Sequence, residues 1–333
     1  MNWTALIQTD RAGVPECQHF GAVAVVDADG RLLASAGNPS QLTFTRSTLK
    51  PFQALPFVKQ GGIEHFQLDS SQLALLCASH NGEDRHVAQV DRLLTASRMG
   101  YKRLQCGCHT PYFVELNVKG PGGPYDERHH NCSGKHAGFL AYCVQHGLPL
   151  DTYLSPDHPL QQAIVQSLKQ ALSVTDAQIA AGTDGCSAPN YAVPLSHLAL
   201  GYARLAAGTA SPVLGSSLAR LSQAMRSHPD LVSGTGRNDE AFMRIGRGDW
   251  VTKVGADGVQ AIGSVSRGMG LAIKISDGSK PALFAASVAV MDQLGWLDDA
   301  QRKALEPWRA SVLLSVKGQP VGSRRAVFDL QRH

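Results

Sequence analysis

Apolar and polar residues alternate in a strand-like pattern near both ends of the chain, whereas the middle shows the three- to four-residue spacing of helices. Residues 18–37 are predicted to form two short strands around the turn from Asp27 to Gly30. Three more strands are predicted near the other end, in W-V-T-K-V-G-A, V-Q-A-I-G-S-V and G-L-A-I-K-I. Helices are predicted at Glu83 to Ser97, Lys135 to Gln145, Pro159 to Leu172, His197 to Ala207, Val213 to Arg226 and Ala282 to Gly295.

This order of elements predicts an α+β fold. Strands from both ends of the chain would pair in one antiparallel sheet, and the helical middle would form a lobe inserted beside it. We therefore expect a single two-lobed unit, with a sheet lobe of about residues 1–45 and 230–333 and a helical lobe of about residues 46–229.

The segment T-R-S-T-L-K-P-F-Q-A-L-P, residues 45–56, indicates a helix that begins near Ser47. A proline inside a helix costs about 3 kcal/mol or more, but the first turn tolerates it because its amides have no intrahelical partner. Pro51 therefore places the helix start at or near Ser47, with the Lys50 amine one turn further on the same face. The helix is expected to be irregular at Pro56 and to end at the Gly-Gly pair that follows.

A serine and a lysine at this spacing can act together in nucleophilic catalysis. The lysine accepts a proton only as a neutral amine, and an unperturbed lysine, with a pKa of about 10.4, is almost fully charged at neutral pH. Burial or neighbouring cations must lower that pKa to about 7–8. Ser47 and Lys50 are thus candidate catalytic residues, although the spacing alone is more typical of an ordinary exposed pair on a helix.

Two more short boxes follow in order along the chain. They are S-H-N, which begins at Ser79, and K-V-G, which begins at Lys253 on a predicted strand. Serine β-lactamases and penicillin-binding proteins carry S-x-x-K, S-D-N and K-T-G in the same order. Each box alone is close to chance, but the three together indicate an acyl-serine enzyme in which Ser47, Ser79 and Lys253 face one cleft.

Four longer motifs resemble the rhizobial-type L-asparaginase II family: R-S-T-L-K-P-F-Q-A-L-P, C-A-S-H-N-G-E, N-C-S-G-K-H-A-G-F and T-D-G-C-S-A-P. They stand in the family's order, and the similarity runs from the first strands to past residue 270. The resemblance implies a fold like that of the serine β-lactamases, hydrolysis of L-asparagine to aspartate and ammonia, and a homodimer. It also implies that Ser47 and Lys50 form one catalytic pair and that Ser79 and Lys253 form a second.

The resemblance further implies a metal ion, expected to be zinc, held by Cys132, Lys135 and Cys186. Cys132 and Lys135 are three residues apart near a predicted helix start, so they can converge on one point, and thiolates suit zinc. A lysine ligand must lose its proton, which requires the charge of the metal nearby. From the residues alone, the alternative is that both cysteines are small buried hydrophobic residues.

A rival cluster of ligand types is Cys106-Gly-Cys108-His109, although its spacing is crowded for a metal site. Asp184 and His136 are expected to orient the ligands of the metal through hydrogen bonds.

Four residues are expected to contact the substrate: Arg46, His80, Asn81 and Gly255. Arg46 precedes the helix start and could meet a substrate carboxylate, although an arginine in this position is often merely solvated. His80 and Asn81 flank Ser79, and a structural role in a turn is the alternative for both. Gly255 completes the K-V-G box.

Composition and charge narrow the expected partners. The net charge is +4 over 333 residues and no run of Lys and Arg is longer than the pair Arg324-Arg325, so neither nucleic acid nor a charged membrane surface is an expected partner. The first residues lack the pattern of a secretory signal, and the most apolar later run, Ala282 to Met291, is too short to span a membrane. Seven scattered cysteines indicate reduced thiols and a cytoplasmic location.

We therefore expect a cytoplasmic L-asparaginase that works by acyl transfer. Ser47 would attack the side-chain amide with Lys50 as base, while Ser79 and Lys253 would relay protons or position the substrate. Two alternatives remain open, namely a penicillin-recognising acyl-serine hydrolase and a non-catalytic module that binds a metal through its Cys/His clusters. Release of ammonia from amides, compared with acylation by a β-lactam, would discriminate among the three.

Overall fold

The computed structural model of the protein describes residues 3–208 and 214–333. The strands are β1 Thr4–Arg11, β2 Val14–Asp27, β3 Leu32–Ala36, β4 Leu42–Phe44, β5 Ala180–Thr183, β6 Pro189–Pro194, β7 Trp250–Gly255, β8 Val259–Ser264, β9 Met269–Ile275, β10 Val312–Leu314, β11 Pro320–Ala326 and β12 Gln331–Arg332. The α-helices are α1 Lys50–Gln53, α2 Leu55–Lys59, α3 Gly62–His65, α4 Ser70–Leu76, α5 Asp84–Ala96, α6 Tyr112–Glu115, α7 Ser133–Gln145, α8 Pro159–Leu172, α9 Leu195–Ala207, α10 Gly215–Ser227, α11 Pro229–Val232, α12 Asn238–Ile245, α13 Lys280–Gln293, α14 Asp299–Ala304 and α15 Glu306–Arg309.

One antiparallel sheet joins the two ends of the chain, as the sequence predicted. Its strand order is β10-β11-β1-β2-β9-β8-β7, and β3 and β12 extend it beside β2. The long strand β2 pairs with β9 in a register that places Val23 opposite Ile273. The N-terminal and C-terminal strands therefore meet at the centre of the sheet.

Both faces of β2 are buried. Ala22, Ala24 and Val26 belong to a core that β2 shares with the helical middle of the chain. Val23 and Val25 belong to a second core on the other face, together with α13. Burial on both faces explains why this half of β2 is continuously apolar instead of alternating.

Helix α9 packs directly on the sheet at two glycines. A Cβ atom at Gly263 would lie 2.3 Å from the carbonyl oxygen of Tyr202, and one at Gly270 would lie 2.1 Å from that of Ala199. Only glycine permits this approach. The close contact holds β8 and β9 directly against α9.

Most predicted elements are present. Helix α8 has the predicted bounds. Neither end of α5, α7, α9 or α13 lies more than two residues from its predicted position. The prediction for Val213 lies outside the described residues. One correction concerns the middle of the chain, which was predicted to be helical. Strands β5 and β6 lie there, and β6 pairs with both β4 and β5 in a second antiparallel sheet. No helix in the described ranges is long and apolar enough to cross a membrane.

Candidate active site

The predicted helix start at Ser47 is present. A 3₁₀ turn, Arg46–Leu49, leads into α1, and Pro51 lies in the first turn of α1. Arg46 has a positive φ of 49°, which is uncommon outside glycine and turns the chain sharply into the helix. The turn leaves Ser47 8% exposed, at the wall of a cleft.

The cleft has a volume of about 450 Å³ and lies between the Ser47 turn and the end of β7. This volume falls in the range of small-molecule sites. Its polar wall includes Ser47, Ser79, Tyr112, Asn131, Arg237 and Asn238.

Lys50 is buried beside this wall, and its amine contacts three oxygen atoms. Nζ donates to the carbonyls of Ala78 and Asn131, the latter at 3.3 Å, and lies 2.9 Å from Ser79 Oγ. Because the carbonyls take two N–H groups, the third tetrahedral direction of the amine faces the Ser79 hydroxyl. Lys50 can donate to Ser79 as an ammonium or accept its proton as a neutral amine.

The hydrogen bonds differ from the expected pairs. Within the ranges 3–208 and 214–333, Ser47 Oγ makes no hydrogen bond, and Ser79 bonds to Lys50 instead of Lys253. Catalytic hydrogen bonds often tighten only when the substrate binds, so the roles of the four residues stay predictions. The Lys50–Ser79 contact nevertheless connects one expected pair to the other.

Lys253, on β7, has no exposed surface. Its Nζ donates to Asp239 Oδ2 at 3.1 Å and to the carbonyl of Val254 at 3.0 Å. Burial lowers the pKa of Lys253 to about 8, with help from the charges of Lys50 and Arg237, while Asp239 opposes the shift. A lysine with this pKa can exchange protons near neutral pH.

Asp239, at the start of α12, is a buried residue that the sequence reasoning missed. Besides Lys253, it accepts hydrogen bonds from Thr252 Oγ1 at 2.9 Å, from Val254 N at 2.9 Å and from Gln260 Nε2 at 3.3 Å. Burial alone would raise the pKa of Asp239, but the charge of Lys253 and these hydrogen bonds hold it below its ordinary value. The carboxylate therefore fixes the amine of Lys253 in place.

Gly255 brings the end of β7 against the Ser47 turn. A Cβ atom there would lie 2.9 Å from the carbonyl oxygen of Thr45 and 3.4 Å from the backbone nitrogen of Ser47. A side chain would therefore push the strand away from the serine. The glycine of the K-V-G box lines the cleft, and its contact with the substrate stays a prediction.

Arg46 does not point into this cleft. Its guanidinium donates to Asp184 Oδ1 at 2.9 Å and also to Asp257, and Arg46 lines a neighbouring cavity instead. Asp184, expected near the metal ligands, thus pairs with Arg46. A guanidinium already paired with two carboxylates is poorly placed to bind a third.

His80 lies behind the cleft wall and is completely buried. Its Nδ1 accepts from the backbone N–H of Gly82 at 3.1 Å, so Nε2 carries the proton and donates to Ser133 Oγ at 2.8 Å. Burial lowers its pKa well below the ordinary value. This geometry favours a structural role in the turn for His80 over contact with the substrate.

Asn81 orients a cleft residue that the sequence reasoning also missed. Its Nδ2 donates to Glu83 Oε1 at 2.9 Å and to the carbonyl of Thr235 at 3.0 Å. Its Oδ1 consequently faces the guanidinium of Arg237, whose Nη1 donates to it at 3.1 Å. The G-T-G-R-N-D segment that carries Arg237 and Asp239 is the signal that could have revealed both residues.

The three expected metal ligands do converge. Lys135 Nζ lies 3.1 Å from Cys186 Sγ, and the thiols of Cys132 and Cys186 are hydrogen-bonded to each other. That bond and the charge of Lys135 hold the pKa of Cys186 far below its ordinary value against the effect of burial. Burial opposes the charged form of Lys135, but the sulfur charges outweigh it and raise its pKa.

This donor set fits zinc in chemical type, since two thiols and an amine are soft and borderline ligands. The described residues nevertheless contain no group of three or more His, Cys, Asp or Glu side chains arranged to hold a metal ion. His136 lies beside the sulfur atoms, and its Nδ1 bonds to the hydroxyl of Tyr153 at 2.8 Å. The same finding applies to Cys106, Cys108 and His109 of the rival cluster, in which Cys106 is buried while Cys108 is exposed.

Serines and buried lysines around a small-molecule cleft are the groups that an amide hydrolase uses for acyl transfer. The family model described as L-asparaginase II matches residues 7–326 of the chain. The chain belongs to this family and is therefore an asparagine amidohydrolase. A search of curated proteins found no match.

Proposed function

We propose that the protein hydrolyses L-asparagine through a Ser/Lys acyl-enzyme formed in this cleft. The observation that carries the proposal is the 2.9 Å contact between Lys50 Nζ and Ser79 Oγ, in a wall that also contains Ser47. The hydroxyl of Ser47 has no protein partner among the described residues and is free to meet a substrate. The Lys253 amine, with a pKa of about 8, supplies a second proton acceptor.

In the proposed reaction, Ser47 Oγ forms a bond to the side-chain amide carbon, and the proton of Ser47 passes by way of the Ser79 hydroxyl to Lys50, whose amine faces Ser79. Ser79, hydrogen-bonded to Lys50, returns a proton to the departing nitrogen as the C–N bond breaks, so that ammonia leaves. Water then attacks the ester, giving aspartate and restoring Ser47. Lys253, with a pKa of about 8, would take up or release the protons that Ser79 and Lys50 exchange.

Replacement of each serine tests this assignment. Ser47→Ala should reduce kcat by several orders of magnitude and abolish the ester, because the nucleophile is lost. Ser79→Ala should slow turnover but leave an ester detectable by intact mass after rapid quenching. An ester that persists in Ser47→Ala and disappears in Ser79→Ala would assign the attack to Ser79.

We also propose that zinc binds Cys132, Cys186 and Lys135, which the resemblance and the convergence of these side chains support. When bound, the metal would supply a fixed positive charge next to Asn131, a residue of the cleft wall. Lys135 would have to give up its proton to bind it.

A β-lactamase-like fold, a homodimer and a cytoplasmic location complete the proposal, and they rest on the resemblance and the cysteine content. Light scattering during gel filtration tests the dimer.

A further inference from the structure

Arg237 is a cation of the cleft wall that forms no ion pair with the described residues. Its guanidinium lies 4.7 Å from the centre of the Tyr112 ring and bonds to the neutral Asn81, and no carboxylate in the described ranges forms an ion pair with it. The residue is partly exposed towards the cleft, and desolvation by the surrounding wall lowers the pKa of its guanidinium. A partly desolvated charge without a counterion is costly unless a ligand supplies one.

The surrounding residues hold this guanidinium in one orientation. The Asn81 amide can face Arg237 only with its oxygen, since its nitrogen is committed to Glu83 and Thr235. The loop before Arg237 lies against Asn81 because residue 234 is a glycine, with φ of 112°. A Cβ atom at Gly234 would lie 2.8 Å from Asn81 Nδ2.

The other cations near the cleft are less suited to binding an anion. Arg46 is paired with Asp184 and Asp257, and Lys253 is paired with Asp239. Lys280 also lines the cleft, but it is exposed at the rim, where water solvates its charge.

We propose that Arg237 binds the α-carboxylate of the amino-acid substrate and so restricts the enzyme to amides that carry one. Asn81 acts as the residue that positions the guanidinium. This inference rests on the proposed function. An arginine presents paired N–H donors, in a planar fork, that match the two oxygens of a carboxylate, and the Tyr112 ring holds this fork against the wall.

Two truncated substrates test the role of the carboxylate. 3-Aminopropanamide is asparagine without its α-carboxylate, and succinamic acid is asparagine without its α-ammonium. The wild-type enzyme should prefer asparagine to 3-aminopropanamide by about a hundredfold in kcat/KM, the scale of a charge-assisted hydrogen-bond pair.

Arg237→Met should lower kcat/KM for asparagine and succinamic acid by about a hundredfold, but change that for 3-aminopropanamide less than about threefold. Arg237→Lys, which keeps the charge without the fork, should lose about tenfold for the carboxylate substrates only. Arg128→Met is the matched control, because Arg128 also stacks on a tyrosine, at 4.6 Å from the ring of Tyr101, but lies outside the cleft wall. It should leave the ratio between substrates unchanged.

Equal losses for all three amides in both Arg237 variants would overturn the inference, because they would show a structural role. So would a wild-type enzyme that hydrolyses asparagine and 3-aminopropanamide equally well. If the wild-type enzyme releases no ammonia from asparagine, it is the proposed function that fails. Thermal unfolding of each variant separates loss of folding from loss of recognition.

Discussion

Asp239→Asn should move the pH dependence of the enzyme in a direction that the structure fixes. The carboxylate lies 3.1 Å from Lys253 Nζ, both groups are completely buried, and the negative charge favours the ammonium form of the lysine. Removing the charge should lower the pKa of Lys253 further below about 8. If Lys253 must be neutral for turnover, the acid limb of kcat/KM then shifts to lower pH.

The size of the shift follows from the distance. At 3.1 Å and an effective dielectric constant of about 20, the attraction amounts to about 5 kcal/mol, or about 4 pKa units at about 1.4 kcal/mol each. The asparagine should turn its oxygen to Lys253 and Val254, because the hydroxyl of Thr252 can rotate to accept from the new NH₂ group, while the long bond from Gln260 Nε2 is lost. The retained hydrogen bond recovers part of the attraction, so we expect a shift of at least about one unit.

The assay is ammonia release from L-asparagine between pH 5 and 10 for the wild type, Asp239→Asn and Asp249→Asn. Asp249 makes the matched control, since it accepts from Ser264 Oγ at 2.8 Å just before β7 and forms no ion pair with a lysine among the described residues. An acid limb that stays in place, or moves to higher pH, in Asp239→Asn would refute the assignment of that limb to Lys253. Lys253→Met should remove the limb together with about a hundredfold or more of activity.

Two further predictions concern the metal and the substrate. Elemental analysis of protein purified without chelator should give about one zinc per chain, lost in both Cys132→Ser and Cys186→Ser but kept in Cys108→Ser; a metal-free wild-type protein would contradict this. Ammonia release from L-asparagine should exceed that from L-glutamine by about a hundredfold, and a penicillin should leave no adduct in the intact mass. A stable penicillin adduct without asparagine hydrolysis would favour the alternative function, a penicillin-recognising acyl-serine hydrolase.

Local rules in the sequence predicted the parts of the site that depend on local structure. Pro51 located the start of the helix because proline is tolerated only in the first turn, and Ser47 lies at that start. The family motifs likewise predicted that Cys132 and Cys186 lie close together, although they are far apart in the sequence. The L-asparaginase II resemblance is confirmed by the family match.

The partners of the lysines could not be predicted, because they depend on how distant loops pack. Ser79 reaches Lys50 because its backbone is held by long-range hydrogen bonds, such as Ser79 N to the carbonyl of Val232 at 2.8 Å. The ion pair of Lys253 depends on Asp239, from a different element. Spacing along the chain carries no information about such contacts.

Strand β1 was not predicted from the sequence, because some of its buried residues are polar. Gln8, Thr9 and Asp10 are all buried, and Gln8 Nε2 donates to Asp10 Oδ1 at 2.7 Å. Arg325, on β11, pairs with the same aspartate. An alternation of apolar and polar residues cannot reveal a strand whose buried positions are polar and satisfied by each other.

The glycine contacts give the cleft a fixed length, which connects recognition with chemistry. Gly255 holds β7 against the Ser47 turn, and Gly234 holds the Arg237 loop against Asn81. If Arg237 binds the α-carboxylate and Ser47 attacks the amide, the fixed separation of these two residues selects substrates in which the carboxylate and the amide carbon are the right distance apart. One more methylene, as in glutamine, moves the carbonyl by about one bond length, and a misplacement of about 1 Å can cost about a hundredfold in rate. The Gly255 end is set by backbone packed on backbone, and the Gly234 end by backbone packed on the hydrogen-bonded side chain of Asn81. Because neither contact can readily adjust, the predicted preference for asparagine follows from the rigidity of the cleft walls.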